Sequence, residues 1–141
     1  MPELDHRTTL ATTYGEALYC VAHASAPFTL RIGIHSFALQ NLYREHAVHS
    51  AAFITAWNPN NKRHSPADNQ PRQHTLEIAV KALGFSWLTG VGRNAENTHS
   101  EDSLLILGID KKNACELGRR FEQVAIVWCD ARATPELIFL A

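Results

Sequence analysis

Between residues 51 and 130, short apolar runs alternate with two segments of helical period, and this order constrains the fold more than anything else in the chain. Ala51-Ala52-Phe53-Ile54-Thr55-Ala56-Trp57 is a continuous apolar run closed by Asn58-Pro59, the pattern of a central strand covered on both faces. The runs at 85 to 91, 103 to 109 and 124 to 129 read as strands for the same reason. Between the first and second, Leu76, Ala79, Val80 and Leu83 share one helix face, and Gly84 stands where a left-handed C-terminal cap belongs. Between the third and fourth, Asp110 caps a helix whose apolar face is Ala114, Leu117 and Phe121, and Gly118 on that face allows close approach to a sheet. Strand, helix, strand, strand, helix, strand is the ferredoxin-like split βαβ order. The expected class is therefore α+β, with that core over 51–130 in a mixed or antiparallel sheet; the same pattern also accommodates another strand order. Phe53, Leu76, Leu83, Leu105, Leu117, Phe121 and Ile126 are the expected core, with both helices on one face.

The remaining elements read as additions within a single domain, 1–141. Residues 7 to 17 form a weak helix pattern, and Ala17 to His23 and Phe28 to Ile32 are β-prone runs around a break at Ala24-Ser25-Ala26-Pro27, which suits a hairpin. Ser36 then caps a helix carrying Leu39, Leu42, Tyr43 and His46. Residues 58 to 72 hold three prolines and four asparagines and read as an exposed loop. Glu136 to Leu140 is the last strand.

With 141 residues and 45% apolar content, the chain can bury a core without metal or disulfide. A net charge of −1 with interspersed signs gives no field for a polyanion, which argues against duplex nucleic acid or an anionic membrane as partner. Cys20, Cys115 and Cys129 are widely spaced and lack a CxxC pair, so reduced thiols are expected. Neither an export signal nor an apolar run of membrane-spanning length is legible, which points to the cytoplasm. No cofactor motif is present. Gly90-x-Gly92 precedes no helix and reads as a tight turn rather than a phosphate cradle. His46-x-x-His49 lacks a third ligand in register, so no metal site is expected, and Ser65 and Ser103 have no recognisable partners for nucleophilic catalysis.

Several phrases carry a resemblance: Phe28-Thr29-Leu30-Arg31-Ile32-Gly33, Phe53-Ile54-Thr55-Ala56-Trp57-Asn58-Pro59, Glu101-x-Ser103 before an apolar strand, and Leu117-Gly118-Arg119-Arg120-Phe121-x-Gln123-x-Ala125-Ile126-Val127-Trp128. In this order they resemble the bacterial domain-of-unknown-function family 3293 over nearly the whole chain. The resemblance implies a fold and a motif set but no activity. Two departures stand out. The family pattern has Gly then Gln-Asn where this chain has Glu122, Gln123 and Val124, and a Trp-Pro pair where it has Thr98-His99-Ser100.

Under the split βαβ order, residues from separate segments reach one rim of the sheet: Trp57, Asn58, Asn61, Arg93, Glu101, Ser103, Arg119, Arg120 and Gln123. Each has an ordinary structural role as well. Asn58-Pro59 is a turn, Arg119 and Arg120 complement a helix C-terminus, and Trp57 is core. Three functions fit such a rim. The first is a binding module for a small polar or anionic, nucleotide-like ligand, with Arg93 and Arg120 on the anion. The second is an enzyme using Glu101 as general acid or base with arginine support. The third is an interaction module pairing through the Glu136–Leu140 edge, with a second copy of the chain as partner. The sharpest expectation is that Asn58, Arg93, Glu101 and Arg120 open on one cleft.

Overall fold

The computed structural model describes residues 12–23 and 26–140. It begins with helical residues 12–16 (α1), the strands β1 (Leu18–Val21) and β2 (Phe28–Leu30), the helix α2 (Phe37–His46) and the strand β3 (Ala51–Ile54). A 3-10 turn (Pro59–Asn61) leads to α3 (Pro66–Ala82), β4 (Ser86–Arg93), β5 (Ser100–Leu107), α4 (Lys111–Arg120), β6 (Ala125–Cys129) and β7 (Pro135–Phe139). Of the expected first helix, residues 7–11 lie outside the described residues.

The seven strands of the described residues join one sheet in the order β2-β1-β4-β5-β3-β6-β7, and every neighbouring pair is antiparallel. The fold is thus α+β with an antiparallel sheet, and the first two strands do pair as a hairpin. Because side chains alternate across a strand, β3 feeds two cores. Ala51 and Phe53 pack with Leu39, Leu42 and Tyr43 of α2, while Ala52 and Ile54 pack with Leu76 and Val80 of α3 and with Ala114 and Leu117 of α4. The helices α3 and α4 therefore share one face and α2 covers the other. The sheet curls around α2 until its two edges meet, with Gly33 N donating to Pro135 O at 2.8 Å.

Local signals explain most boundaries. Ser36, Ser65 and Asp110 accept from the backbone N–H three residues on. Gly84 (φ 86°) closes α3 with the paired bonds Gly84 N to Lys81 O and Phe85 N to Val80 O. At Gly118 an added Cβ would lie 2.6 Å from Leu140 Cδ1 and 2.7 Å from Ile126 Cγ2, so the glycine is what seats α4 on β6.

Three expectations need correction. The Asn- and Pro-rich segment is not loop throughout, because α3 begins at Pro66. Proline is well suited to a first helical position, Ser65 caps it, and Asp68 adds a charge favourable to the helix N-terminus. Leu83 is not core but 50% exposed. It is the capping residue itself, where the chain leaves the helical path toward Gly84. Gly90 and Gly92 form no turn; both lie inside β4, which runs on to Arg93 and pairs with β5 from Ser100, leaving only 94–99 as loop. A Cβ on Gly90 would collide with Phe53 and with Cys20 O, each at 2.7 Å, so that glycine makes room for a core ring.

Candidate functional site

Thr55 to Asn61 leaves the end of β3 and crosses the rim of the sheet, and its backbone polar groups are taken up by side chains of α3, by Gln123 after α4 and by Thr55 itself. Ala56 N donates to Gln73 Oε1 (2.9 Å), Trp57 N to Thr55 Oγ1 (3.0 Å) and Asn58 N to Asn69 Oδ1 (2.9 Å). Gln123 Nε2 donates to Trp57 O (3.1 Å), and Thr55 Oγ1 donates to Asp102 O (2.6 Å).

Asn58 is the hub. It adopts left-handed geometry (φ 49°), which asparagine tolerates better than most residues. Its Oδ1 accepts from His64 N (2.9 Å) and Asn69 Nδ2 (3.0 Å), and these two bonds aim its Nδ2 at Glu101 Oε1 (2.9 Å). Asn69 is fully buried.

Glu101 is partly buried and faces Gly92 across the β4–β5 ladder. Burial pushes its carboxyl pKa above the ordinary value near 4.5, and the Asn58 hydrogen bond opposes that rise. A cavity of about 60 Å³ adjoins it, lined by Tyr14, Asn61, Gly92, Ser103 and Gln123 among others. That is room for a few waters or a small polar group. Tyr19 donates to Tyr14 O (2.7 Å), and Ser103 to Glu101 O (3.1 Å).

Among the expected site residues, Asn58, Asn61, Glu101, Ser103 and Gln123 line this cavity, and Trp57 is tied to it through its carbonyl. The three arginines are elsewhere. Arg93 follows Gly92 and so lies on the other face of β4. Arg119 donates from Nε to Leu140 O (3.4 Å), and Arg120 lies over the Phe121 ring at 5.6 Å. The expected four-residue cleft is therefore half formed: its carboxyl and amide converge, and its cations do not. Sequence position brings a residue to an end of the sheet, but strand alternation and helix rotation decide which face it serves.

Asn69 and Gln73 were not among the sequence candidates, yet a signal existed. They continue the buried register of Leu76 and Val80 at intervals of three and four, as polar residues on an otherwise apolar face. Trp57 Nε1 is buried with no hydrogen-bond acceptor among the described residues. Among the described residues no group of three or more His, Cys, Asp or Glu side chains is placed to hold a metal, and no helix is long and apolar enough to cross a membrane.

The passage from α4 to β6 bears on the same rim. Glu122 N donates to Arg119 O and Gln123 N to Gly118 O, which closes α4 with a left-handed residue at Glu122 (φ 57°). Gln123 is thereby placed to reach Trp57. Glycine is the residue of choice at that position, so Glu122→Gly is expected to raise stability by about 1 kcal/mol. Its side chain loses only a 3.9 Å contact to Arg72 and a 3.4 Å bond from Asn60. Urea unfolding of the two proteins measures the difference, and a destabilised variant would mean these side-chain contacts outweigh the backbone strain.

A family model described as "Protein of unknown function (DUF3293)" matches residues 54–126, a span holding Asn58, Asn69, Gln73, Glu101 and Gln123. No curated protein and no solved structure matches the chain significantly.

Proposed function

The chain belongs to the family of proteins of unknown function DUF3293, and from that premise we propose that it is a binding module for a small polar ligand, held through N–H or O–H donors by the Glu101 carboxyl. One observation carries this reading. Glu101 is a partly buried carboxyl whose side chain has, among the described residues, a single hydrogen bond, from Asn58, beside a small cavity. A carboxyl kept there without a cationic partner costs stability, and a ligand donor is what would offset that cost.

Gly92 supports the same reading. A Cβ there would make only ordinary contacts, 3.5 Å from Phe53 and 3.7 Å from Ser103, so packing does not demand glycine in this strand. Its absence of side chain leaves the space opposite Glu101 open. With no arginine among the described residues of the cavity wall, a neutral or cationic ligand suits the site better than an anion or a nucleotide. The order β4-β5-β3-β6, with α3 and α4 on one face, supports the split βαβ reading of the scaffold.

The test pairs stability with binding. Because burial raises the folded-state pKa of Glu101, the folded protein holds its proton more tightly than the unfolded one. Stability therefore falls as pH rises from about 4.5 through the raised folded value, and stays lower above it. Glu101→Gln keeps an oxygen for Asn58 and removes that penalty. It is expected to be more stable than wild type at pH 7, with the advantage vanishing below about pH 4. Native mass spectrometry of freshly purified wild type should show a bound small molecule that Glu101→Gln and the space-filling Gly92→Val both lack. A ligand retained equally by both variants would place the binding site elsewhere.

A further inference from the structure

The larger concavity lies across the sheet from Glu101. It is a groove of about 670 Å³ between α3 and the outer strands, with Gln70, Gln73 and Glu77 on one wall and Cys20, Thr89 and Asp102 on the other. That volume is in the range of small-molecule sites.

Gln73 gives this groove chemical content. It is 5% exposed, its Oε1 is committed to Ala56 N–H, and its Nε2 is buried with no acceptor among the described residues. The Ala56 bond fixes which end of the amide is which, so the unfilled requirement is for a hydrogen-bond acceptor. A buried donor left in this state is unusual in a folded protein. The charged residues lining the groove add a second requirement. Glu77 and Asp102 carry carboxyl groups, and among the described residues His74 is the sole basic side chain on the lining, with no lysine or arginine. Their existing partners are weak. Glu77 meets the largely exposed His74 at 3.6 Å, and Asp102 Oδ2 accepts from the exposed Gln70 at 3.2 Å.

We propose that this groove is a second binding site, for a small cationic molecule bearing a carbonyl: the carbonyl oxygen accepts from Gln73 Nε2, and the cationic nitrogens donate to Asp102 and Glu77. Neither interaction involves Glu101 or its cavity, so this site and the one proposed above stand or fall separately. Thr89, Val91 and Cys20 give the strand-side wall small side chains against which the hydrocarbon part of the ligand lies.

L-argininamide and agmatine are a matched pair of probes. At about pH 6, below the pKa of an α-amino group, both are dications of similar length, and only the first has a carbonyl. In a titration followed by amide NMR shifts, argininamide should give saturable shifts at residues 70–77, 89–91 and 102. Agmatine should bind about ten-fold more weakly, the worth of one hydrogen bond to a buried donor. The Glu77→Gln/Asp102→Asn double variant should weaken argininamide at least about ten-fold by removing both charge-assisted bonds. Glu116→Gln, a charge change on the exposed side of α4, should not weaken it. Thr89→Trp, at an exposed strand position, fills the groove from the opposite wall and should abolish binding without touching the carboxylates. Absence of saturable shifts in the wild type overturns the proposal, as does equal affinity for the two probes or binding that survives either the double substitution or Thr89→Trp.

Discussion

Truncating Phe121 to Ala is expected to lower stability by about 3–5 kcal/mol, the range for removing a fully packed aromatic ring. Phe121 is 6% exposed and belongs to the core formed by β3, β5, β6, α3 and α4. It stands at the C-cap of α4, where Gly118 has brought the helix so close to Ile126 and Leu140 that little room exists for collapse into the vacated space. A cavity that cannot close keeps most of its cost. The ring also supports the rim, since Gln123 Nε2 donates to both Phe121 O and Trp57 O (3.2 and 3.1 Å). Urea unfolding with an unchanged m-value would register the loss as a lower midpoint. A loss below about 1 kcal/mol would mean that the ring does not close this core.

How far the sequence discloses this arrangement depends on the range of each signal. Ser36, Asp110 and Gly84 act within one helical turn, and the structure has all three capping as the local pattern requires. The apolar run at Ala51 likewise reads correctly as a strand covered on both faces over Ala51–Ile54, every residue of which is buried, while Thr55 to Trp57, expected in the same strand, leave it for the rim. The start of α3 is misread because composition and position give opposite answers. Asn69, Gln70 and Pro71 look like loop residues, but Ser65-Pro66 is a helix start, and the tertiary contacts of Asn69 and Gln73 keep the first turns helical.

The site is legible in part for a similar reason. Asn58 and Glu101 are 43 residues apart and meet because β3 and β5 are neighbours, a relation the strand order already implies. The arginines do not join them, because a helix end and an alternating strand each present side chains in directions the strand order leaves open. The orphaned Gln73 amide is invisible to any sequence argument, as it depends on which acceptor fails to arrive.

Asn69→Ala is the substitution expected to disturb the rim most, at about 2–4 kcal/mol. The side chain is small, so little of this comes from lost packing. It comes from the three groups that lose the amide: the Asn58 N–H, which donates to Asn69 Oδ1, the His64 carbonyl, which accepts from Asn69 Nδ2, and the Asn58 Oδ1, which keeps only His64 N. With no exposure at all at residue 69, water has no direct route to replace the amide unless the turn opens. A consequence reaches beyond stability. Asn58 holds Glu101 by a bond that lowers the carboxyl pKa against the larger effect of burial. Loosening Asn58 weakens that bond, and the Glu101 pKa should then move further upward. A carbon-13 titration of the Glu101 carboxyl in wild type and Asn69→Ala reads this directly. An upward shift would establish that Asn69, a residue lining neither cavity, sets the protonation of the carboxyl through Asn58. An unchanged titration, in a variant still folded, would show instead that the left-handed turn alone keeps Asn58 on Glu101.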